Sequence, residues 1–377
     1  MKKLFYFSVL TLIVFEILNV YFIMPLPGSQ RIDSIGTAYF LYSWRWVFRV
    51  IIGLLILYSG LSAFQSSKWH LLTLIPLAVV TYFFNFQMSA DKMFLEPTRV
   101  TLKNAAESNV DRNKQIIGII ENGEAKAYPI QFIAYHHKLQ DTIAGKPILV
   151  TYCTVCRAGR VFEPIVDGNA VKFRLVGMDR FNAMIEDAAT GSWWRQANGE
   201  AIQGGLKGQM LPEVESTQTA LAQWLELYPD SLIMQPDAEF TSKYESYTEY
   251  ENGQGGELTG RNNASWEDKS WVVGVVAGES AKAYDWNKLV SERIINDEVA
   301  GVPIVLLLAE DGKSFFAFER PSKDVIFTLN NNQIISGYDA YNFTGKPLNE
   351  TGNVLKRLKA YQEFWHSWWT FHPNTEK

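Results

Sequence analysis

Residues 4–24 of the chain, LFYFSVLTLIVFEILNVYFIM, form an almost unbroken apolar stretch, and residues 46–64 and 70–88 form two more. At about 1.5 Å rise per residue, roughly 20 helical residues cross the ~30 Å hydrocarbon layer of a bilayer. Backbone polar groups inside lipid must find partners within the segment, which makes helix the only suitable form. The sequence therefore predicts three transmembrane helices, which together form a membrane anchor over residues 1–92.

A cleaved signal peptide is the competing interpretation of the first stretch. Its apolar region is longer than a signal peptide needs, and the Met-Pro-Leu-Pro sequence at 24–27 is a poor cleavage site. Both observations favour a retained helix.

Charged residues around the spans predict their orientation. Lys2 and Lys3 favour a cytoplasmic N-terminus, whereas Arg31 and Arg45 in the first connection argue for the reverse. Because the first helix usually dominates, we predict an integral protein of the inner or cytoplasmic membrane whose soluble part is periplasmic or extracellular.

An ionisable side chain inside the first span has two interpretations. Glu16 could pair with Arg49 near the start of the second span and hold the two helices together, or it could serve transport. Three spans with a single carboxylate favour the structural pair.

Length and charge limit the remaining choices. The chain has 377 residues, 47% of them hydrophobic, and a net charge of −5, without a basic run. This length suffices for the anchor and two modest soluble domains. The predicted partner is the lipid bilayer, and nucleic acid is not expected.

An internal repeat organises the soluble part. The segment IIGIIENGEAKAY at 116–128 reappears as VVGVVAGESAKAY at 272–284, and DTIAGKPI at 141–148 reappears with the same spacing as DEVAGVPI at 297–304. We therefore expect two copies of one domain, the first over residues 95–235 and the second over 268–377, joined by a linker over 236–267.

Each copy begins with the pattern of a strand, a tight turn and a second strand, followed by a short helix and another apolar strand. In the first copy these are residues 115–121, 125–128, 130–137 and 148–152. No long crossover helix separates the early strands, which favours antiparallel pairing. The predicted fold class is three transmembrane α-helices followed by a mostly-β α+β soluble part built from two copies of one domain.

The only two cysteines, Cys153 and Cys156, lie in the first copy as Cys-Thr-Val-Cys, while the second copy has Ala309 and Gly312 at the equivalent positions. A thioredoxin-type motif would be followed by a helix, and haem attachment would need His where Arg157 stands. A four-ligand zinc site would show more Cys or His nearby. A local disulfide, a redox dithiol on another scaffold and a soft-metal site remain open.

Two histidines support the metal interpretation. His136 and His137 end the predicted short helix, and the following strand could return the cysteines beside them. Two thiolates and an imidazole suit copper or zinc. Met178 and Met184 are additional candidate ligands, although a methionine in an apolar segment is more often part of a core.

Several of these residues resemble the DUF3179 domain proteins, a family of unknown function. The resemblance rests on the segments at 125–129, 135–136, 145–147, 151–156, 190–193 and 199–202 and covers roughly residues 95–375. Members usually have Pro after the first Cys and Gly after the second, where this chain has Thr154 and Arg157. The resemblance implies His136, rather than His137, as the site histidine, and it implies no particular activity.

The leading hypothesis is a membrane-anchored extracytoplasmic protein that binds copper, or less favourably zinc, through Cys153, Cys156 and His136. Such a protein would exchange its ion with a metal donor or acceptor protein. The alternatives are a thiol-disulfide oxidoreductase and a non-catalytic scaffold or binding domain with a structural disulfide.

Overall fold

The computed structural model describes residues 1–349 and 352–377. The helices are α1 (Lys2–Tyr21), α2 (Ile35–Ser43), α3 (Arg45–Ser66), α4 (Leu74–Tyr82), α5 (Ala90–Met93), α6 (Ile130–His136), α7 (Leu221–Leu227), α8 (Thr241–Glu245), α9 (Trp286–Glu292) and α10 (Trp365–Phe371). Short 3-10 turns cover Ser29–Arg31, Lys68–Thr73, Ala238–Phe240 and Tyr250–Asn252, and a π turn covers Phe83–Gln87.

The first twelve strands are β1 (Leu102–Lys103), β2 (Gln115–Glu121), β3 (Glu124–Pro129), β4 (Lys138–Ile143), β5 (Lys146–Cys153), β6 (Ala158–Phe162), β7 (Ile165–Val166), β8 (Asn169–Ala170), β9 (Phe173–Asp179), β10 (Asn182–Asp187), β11 (Trp193–Arg195) and β12 (Ala201–Gln203). The others are β13 (Ser216–Ala220), β14 (Leu232–Met234), β15 (Trp271–Ala277), β16 (Ser280–Asp285), β17 (Ile294–Val299), β18 (Val302–Leu308), β19 (Phe315–Glu319), β20 (Thr328–Asn330), β21 (Gln333–Ser336), β22 (Asp339–Tyr341) and β23 (Lys359–Phe364).

Three N-terminal helical segments are long and apolar enough to cross a membrane: Lys2–Tyr21, Arg45–Ser66 and Lys68–Gln87. The prediction of three such helices is confirmed, but the third is not one regular α-helix. It begins as a 3-10 turn, continues as α4 and ends in the π turn. Pro76 lies in the first turn of α4, where its missing N–H leaves no helical hydrogen bond unmade.

The chain forms two compact units. One contains residues 1–95, 171–195 and 200–210, and the other contains residues 96–170, 196–199 and 211–377. The apolar helices therefore share a unit with strands β9–β12, which form one antiparallel sheet in the order β12-β11-β10-β9. This division cuts across the predicted first copy, because part of that copy belongs with the helices.

Within this first unit the sheet β9–β12 is joined to the connection after α1. The backbone N–H of Met178 donates to the carbonyl of Ile23 at 2.7 Å, and Gly177 approaches the same carbonyl so closely that a Cβ would clash with it. The rings of Tyr39 and Tyr42 contact Trp193 at centroid distances of 5.0 and 5.3 Å. The sheet and the start of the polypeptide thus form one packed body.

The second unit contains the remaining small sheets, in the strand orders β1-β14-β3-β2-β13, β4-β5-β6, β16-β15-β23, β17-β18-β19, β20-β21-β22 and β7-β8. All these pairings are antiparallel except β14 with β3. The soluble part is therefore mostly β, as predicted.

The order of elements in this unit occurs twice. β2, β3, α6, β4, β5 and β6 are followed later by β13 and α7, and β15, β16, α9, β17, β18 and β19 are followed by β23 and α10. β13 pairs with β2 and β23 pairs with β15, in both cases antiparallel. In each set a tryptophan of the last helix, Trp224 or Trp368, covers a strand glycine, Gly118 or Gly274.

The segment predicted as a linker contains ordered structure. It includes α8 and two 3-10 turns, and it buries the side chains of Phe240, Tyr244 and Tyr250. Phe240 and Tyr244 contact His136, one of the predicted site residues, and Tyr250 contacts the turn between the cysteines.

Candidate dithiol site

The two cysteines flank a tight hairpin turn. β5 ends at Cys153, β6 begins at Ala158, and these two residues are paired across the hairpin. Arg157 closes the turn with a φ of 56°, in the left-handed region. Both cysteines are fully buried, and they stand as two adjacent thiols rather than a disulfide.

Three successive carbonyls of this turn are held by distant parts of the second unit. The Tyr250 hydroxyl donates to the Thr154 carbonyl at 3.0 Å, and the Lys269 ammonium donates to the Val155 carbonyl at 2.7 Å. The backbone N–H of Phe364 donates to the Cys156 carbonyl at 2.9 Å. These three carbonyls therefore have fixed partners, which hold the backbone that carries both thiols.

Burial and neighbouring charged groups act in opposite directions on the pKa values of the titratable side chains in this site. Burial, followed by the neighbouring Cys153, raises the pKa of the Cys156 thiol well above its usual range, while the His366 imidazole beside the same thiol opposes the rise. Burial likewise lowers the pKa of Lys269, and the two thiols act against that shift. The cysteines thus lie in a dry site with two basic groups next to them.

Backbone geometry fixes the position of His366. Its N–H donates to the Asp268 carbonyl at 3.1 Å, and its Nδ1 lies 2.9 Å from the same oxygen. A protonated Nδ1 would donate to that carbonyl and orient the ring. Asp268 directly precedes Lys269, so one short segment fixes both basic groups.

Arg157 is the buried cation of the turn, and its guanidinium stacks 3.8 Å from the Trp271 ring. Its donors reach Gln362 Oε1 at 3.0 Å, Gln115 Oε1 at 3.1 Å, the Glu251 carbonyl at 3.1 Å and the Tyr250 carbonyl at 3.3 Å. This residue joins four segments around the cysteines.

The predicted histidines lie in an aromatic environment. His136 Nε2 is 2.7 Å from the Tyr244 hydroxyl, and its ring contacts Phe240 and Tyr135 at centroid distances of 5.0 Å. His137 is buried, and its Nδ1 is 3.2 Å from the Tyr135 carbonyl. Burial lowers the pKa of His137 to about 4. The backbone of the histidine segment does meet β5, because Tyr152 N–H donates to the His137 carbonyl at 2.9 Å.

Among residues 1–349 and 352–377, no three His, Cys, Asp or Glu side chains are arranged to hold one metal ion. Cys153, Cys156 and His136 are therefore not preassembled as a three-ligand centre, and metal binding stays a prediction. Met178 and Met184 are in β9 and β10, in the unit that contains the apolar helices, and both are buried.

Sequence reasoning missed Lys269 and His366. Lys269 lies just before β15 and His366 lies in α10, both more than a hundred residues after the cysteines. The sequence offers one weak signal, a histidine in the aromatic run Phe-Trp-His-Ser-Trp-Trp at 364–369. No spacing rule connects that run to Cys156.

Fold and site together define a protein with three apolar N-terminal helices and a β-rich part that encloses a buried thiol pair. The family model described as protein of unknown function (DUF3179) matches residues 95–375. The chain belongs to this family. Neither the curated proteins nor the solved structures contain a match.

Proposed function

We propose that this is a membrane-anchored extracytoplasmic protein that binds one Cu(I) ion through Cys153 and Cys156. The observation that carries the proposal is a pair of fully buried, adjacent thiols at a turn in which three successive carbonyls are held in place. Soft thiolate ligands favour Cu(I). Binding would release the thiol protons, so affinity would increase with pH.

Burial argues against thiol-disulfide exchange as the main role. Exchange requires a thiolate that a second thiol or disulfide can reach. Neither sulfur is exposed, and burial raises the pKa of the Cys156 thiol. A single ion needs far less access than a protein partner.

The number of ligands favours copper over zinc. Structural zinc sites nearly always have four ligands, whereas Cu(I) accepts two thiolates. For His136 to become a third ligand, its Nε2 would have to give up the contact with Tyr244. Two thiolates around Cu(I) carry one net negative charge, which the ammonium of Lys269, donating to the Val155 carbonyl of the same turn, would offset inside the protein.

A structural disulfide is the second candidate, supported by the adjacency of the two sulfurs and by the proposed location in an oxidising space. If the cysteines formed such a disulfide, replacing either of them would lower the stability of the protein and have no other effect.

Metal and thiol analysis of the full-length protein in detergent distinguishes the two candidates. Reduced protein titrated with Cu(I) against a chromogenic chelator should bind about one copper per chain, and Cys153→Ser or Cys156→Ser should abolish this binding. Met178→Leu and Met184→Leu are the matched sulfur controls and should retain it. Reduced wild-type protein that binds no copper would refute the proposal.

Thiol counting before reduction completes the test. If the cysteines are free thiols that bind copper, protein denatured without a reductant should yield two reactive thiols per chain once the chelator has removed the copper. If the thiols appear only after reduction and no copper binds thereafter, the structural disulfide is the better description.

We further propose that the two similar halves of the second unit arose by duplication and that only the first retains the site. The repeated order of elements and the matching Gly118–Trp224 and Gly274–Trp368 contacts support this. Ala309 and Gly312 occupy the equivalent positions of the cysteines.

The extracytoplasmic location rests on Lys2 and Lys3 together with the three apolar helices. Alkaline phosphatase fused after Lys377 should be active. Green fluorescent protein fused at the same position should not fluoresce, because it would be exported unfolded through the general secretion route. A fluorescent, phosphatase-inactive pair of fusions would place the thiols in a reducing compartment and overturn this part of the proposal.

A further inference from the structure

A groove runs along α1 between α3 and α4. It encloses a cavity of about 620 Å³, and most of its surface is apolar. Leu12 lies on α1, Trp46 on α3, and Leu77 and Tyr82 on α4. These helices are apolar enough to span a bilayer, and within one the groove would face hydrocarbon and have room for an acyl chain.

A closed polar network lies in the wall of the groove. Arg49 donates to the two Glu16 carboxylate oxygens at 2.8 and 2.7 Å and to Asn85 Oδ1 at 2.6 Å, and Asn85 donates to Glu16 at 2.8 Å. The two charges neutralise each other, so this part of the groove does not attract or repel an ion strongly.

A second cavity of about 180 Å³ lies further along the same helices, and Asn85 lines both cavities. Its charged lining residues are three basic ones, Arg45, Lys92 and Arg174, and one acidic one, Asp91. Arg174 pairs with Glu186 at 2.8 Å and with Asp91 at 3.8 Å.

The other two cations lack such partners. In the part of the chain that the structure describes, neither Arg45 nor Lys92 forms an ion pair; Arg45 is half-buried and Lys92 is exposed. The Arg45 guanidinium donates to the Tyr42 carbonyl at 2.5 Å and lies 3.7 Å over the Tyr42 ring, and neither contact supplies a negative charge. α3 begins at Arg45, so within a bilayer this second cavity would lie at headgroup depth.

We propose that this pair of cavities binds one anionic phospholipid of the surrounding bilayer. An acyl chain occupies the groove, and the phosphate lies between Arg45 and Lys92. The mostly apolar lining of the groove, and the two cations without an ion pair in the neighbouring cavity, together match an anionic amphiphile. Lys and Arg side chains beside transmembrane helices attract anionic lipid headgroups by this chemistry.

Native mass spectrometry of the full-length protein released from nanodiscs tests this site. The nanodiscs contain phosphatidylcholine with a small fraction of phosphatidylglycerol, and we expect one phosphatidylglycerol to stay bound. The double variant Arg45→Gln/Lys92→Gln should weaken retention roughly 30-fold, since each basic residue contributes about 1 kcal/mol to binding an anionic lipid.

The control variant Arg31→Gln/Lys68→Gln removes the same charge away from both cavities and should retain the lipid. Leu77→Trp should fill the groove and displace the lipid without changing net charge. Equal retention in both charge variants would overturn the proposal, as would retention of phosphatidylcholine or of a neutral quinone instead. Copper titration of the same samples is independent of these results.

Discussion

At the residue scale, two glycines determine how each half of the second unit packs. A Cβ added at Gly118 would collide with the six-membered ring of Trp224, and one added at Gly274 would collide with that of Trp368. Both tryptophans are buried, so neither ring has space to retreat.

Gly118→Ala and Gly274→Ala should therefore each destabilise the protein by about 1–3 kcal/mol through overpacking. Thermal unfolding followed by tryptophan fluorescence should show a midpoint several degrees lower. Gly256→Ala is the control, because nothing lies near its Cβ position. An unchanged midpoint in both variants would mean that the tryptophans pack elsewhere.

The site was only partly predictable at this scale. Cys153 and Cys156 were identifiable because they are the only cysteines and their spacing is recognisable. Lys269 and His366 were not, because their proximity to the thiols depends on how β15 and α10 meet the first hairpin turn. Contacts between such distant segments leave no periodic pattern in the sequence.

At the element scale, α6 and α9 end in the same way. His137 follows α6 with a φ of 61°, and Arg293 follows α9 with a φ of 63°, where glycine is the usual residue. The predicted helix over 130–137 differs from the observed one only at this capping residue. Burial of an imidazole at such a cap links the stability of the helix end to pH.

His137 should make the protein less stable in mild acid. Its folded pKa is about 4, below the unfolded value of 6.5, so only the unfolded chain binds a proton between these values. The free energy of unfolding should be unaffected above pH 6.5 and should fall by up to roughly 3 kcal/mol as pH decreases toward 4.

Chemical denaturation between pH 7.5 and 4 measures this effect. His137→Asn removes the titrating group and retains a residue that tolerates a positive φ, so its stability should vary less with pH across that window. A variant curve parallel to that of the wild type would show that other groups cause the acid sensitivity.

At the scale of the whole molecule, the sequence predicted three apolar helices and a mostly-β remainder, and both are present. It did not predict that residues 171–195 and 200–210 would share a unit with those helices. The length of an apolar segment can be read from consecutive residues. A contact such as that between Met178 and Ile23 depends on how distant parts of the backbone fold.

The ion pair between Glu16 and Arg49 stabilises the helical anchor. Arg49→Leu would leave the Glu16 carboxylate without its cation and should cost about 3–5 kcal/mol. The double variant Glu16→Leu/Arg49→Leu removes both charges and should recover most of that loss. Thermal unfolding of detergent-purified full-length variants compares them. A double variant as unstable as the single one would contradict charge neutralisation as the role of the pair.

The sheet β9–β12 has a consequence for proteolytic release. A protease that cut after residue 95 would separate those strands from Ile23, Tyr39 and Tyr42, which they contact. The fragment would expose Trp193 and lose the acceptor of the Met178 N–H. Shedding by a single cut would thus yield a product whose β9–β12 sheet has lost part of its packing.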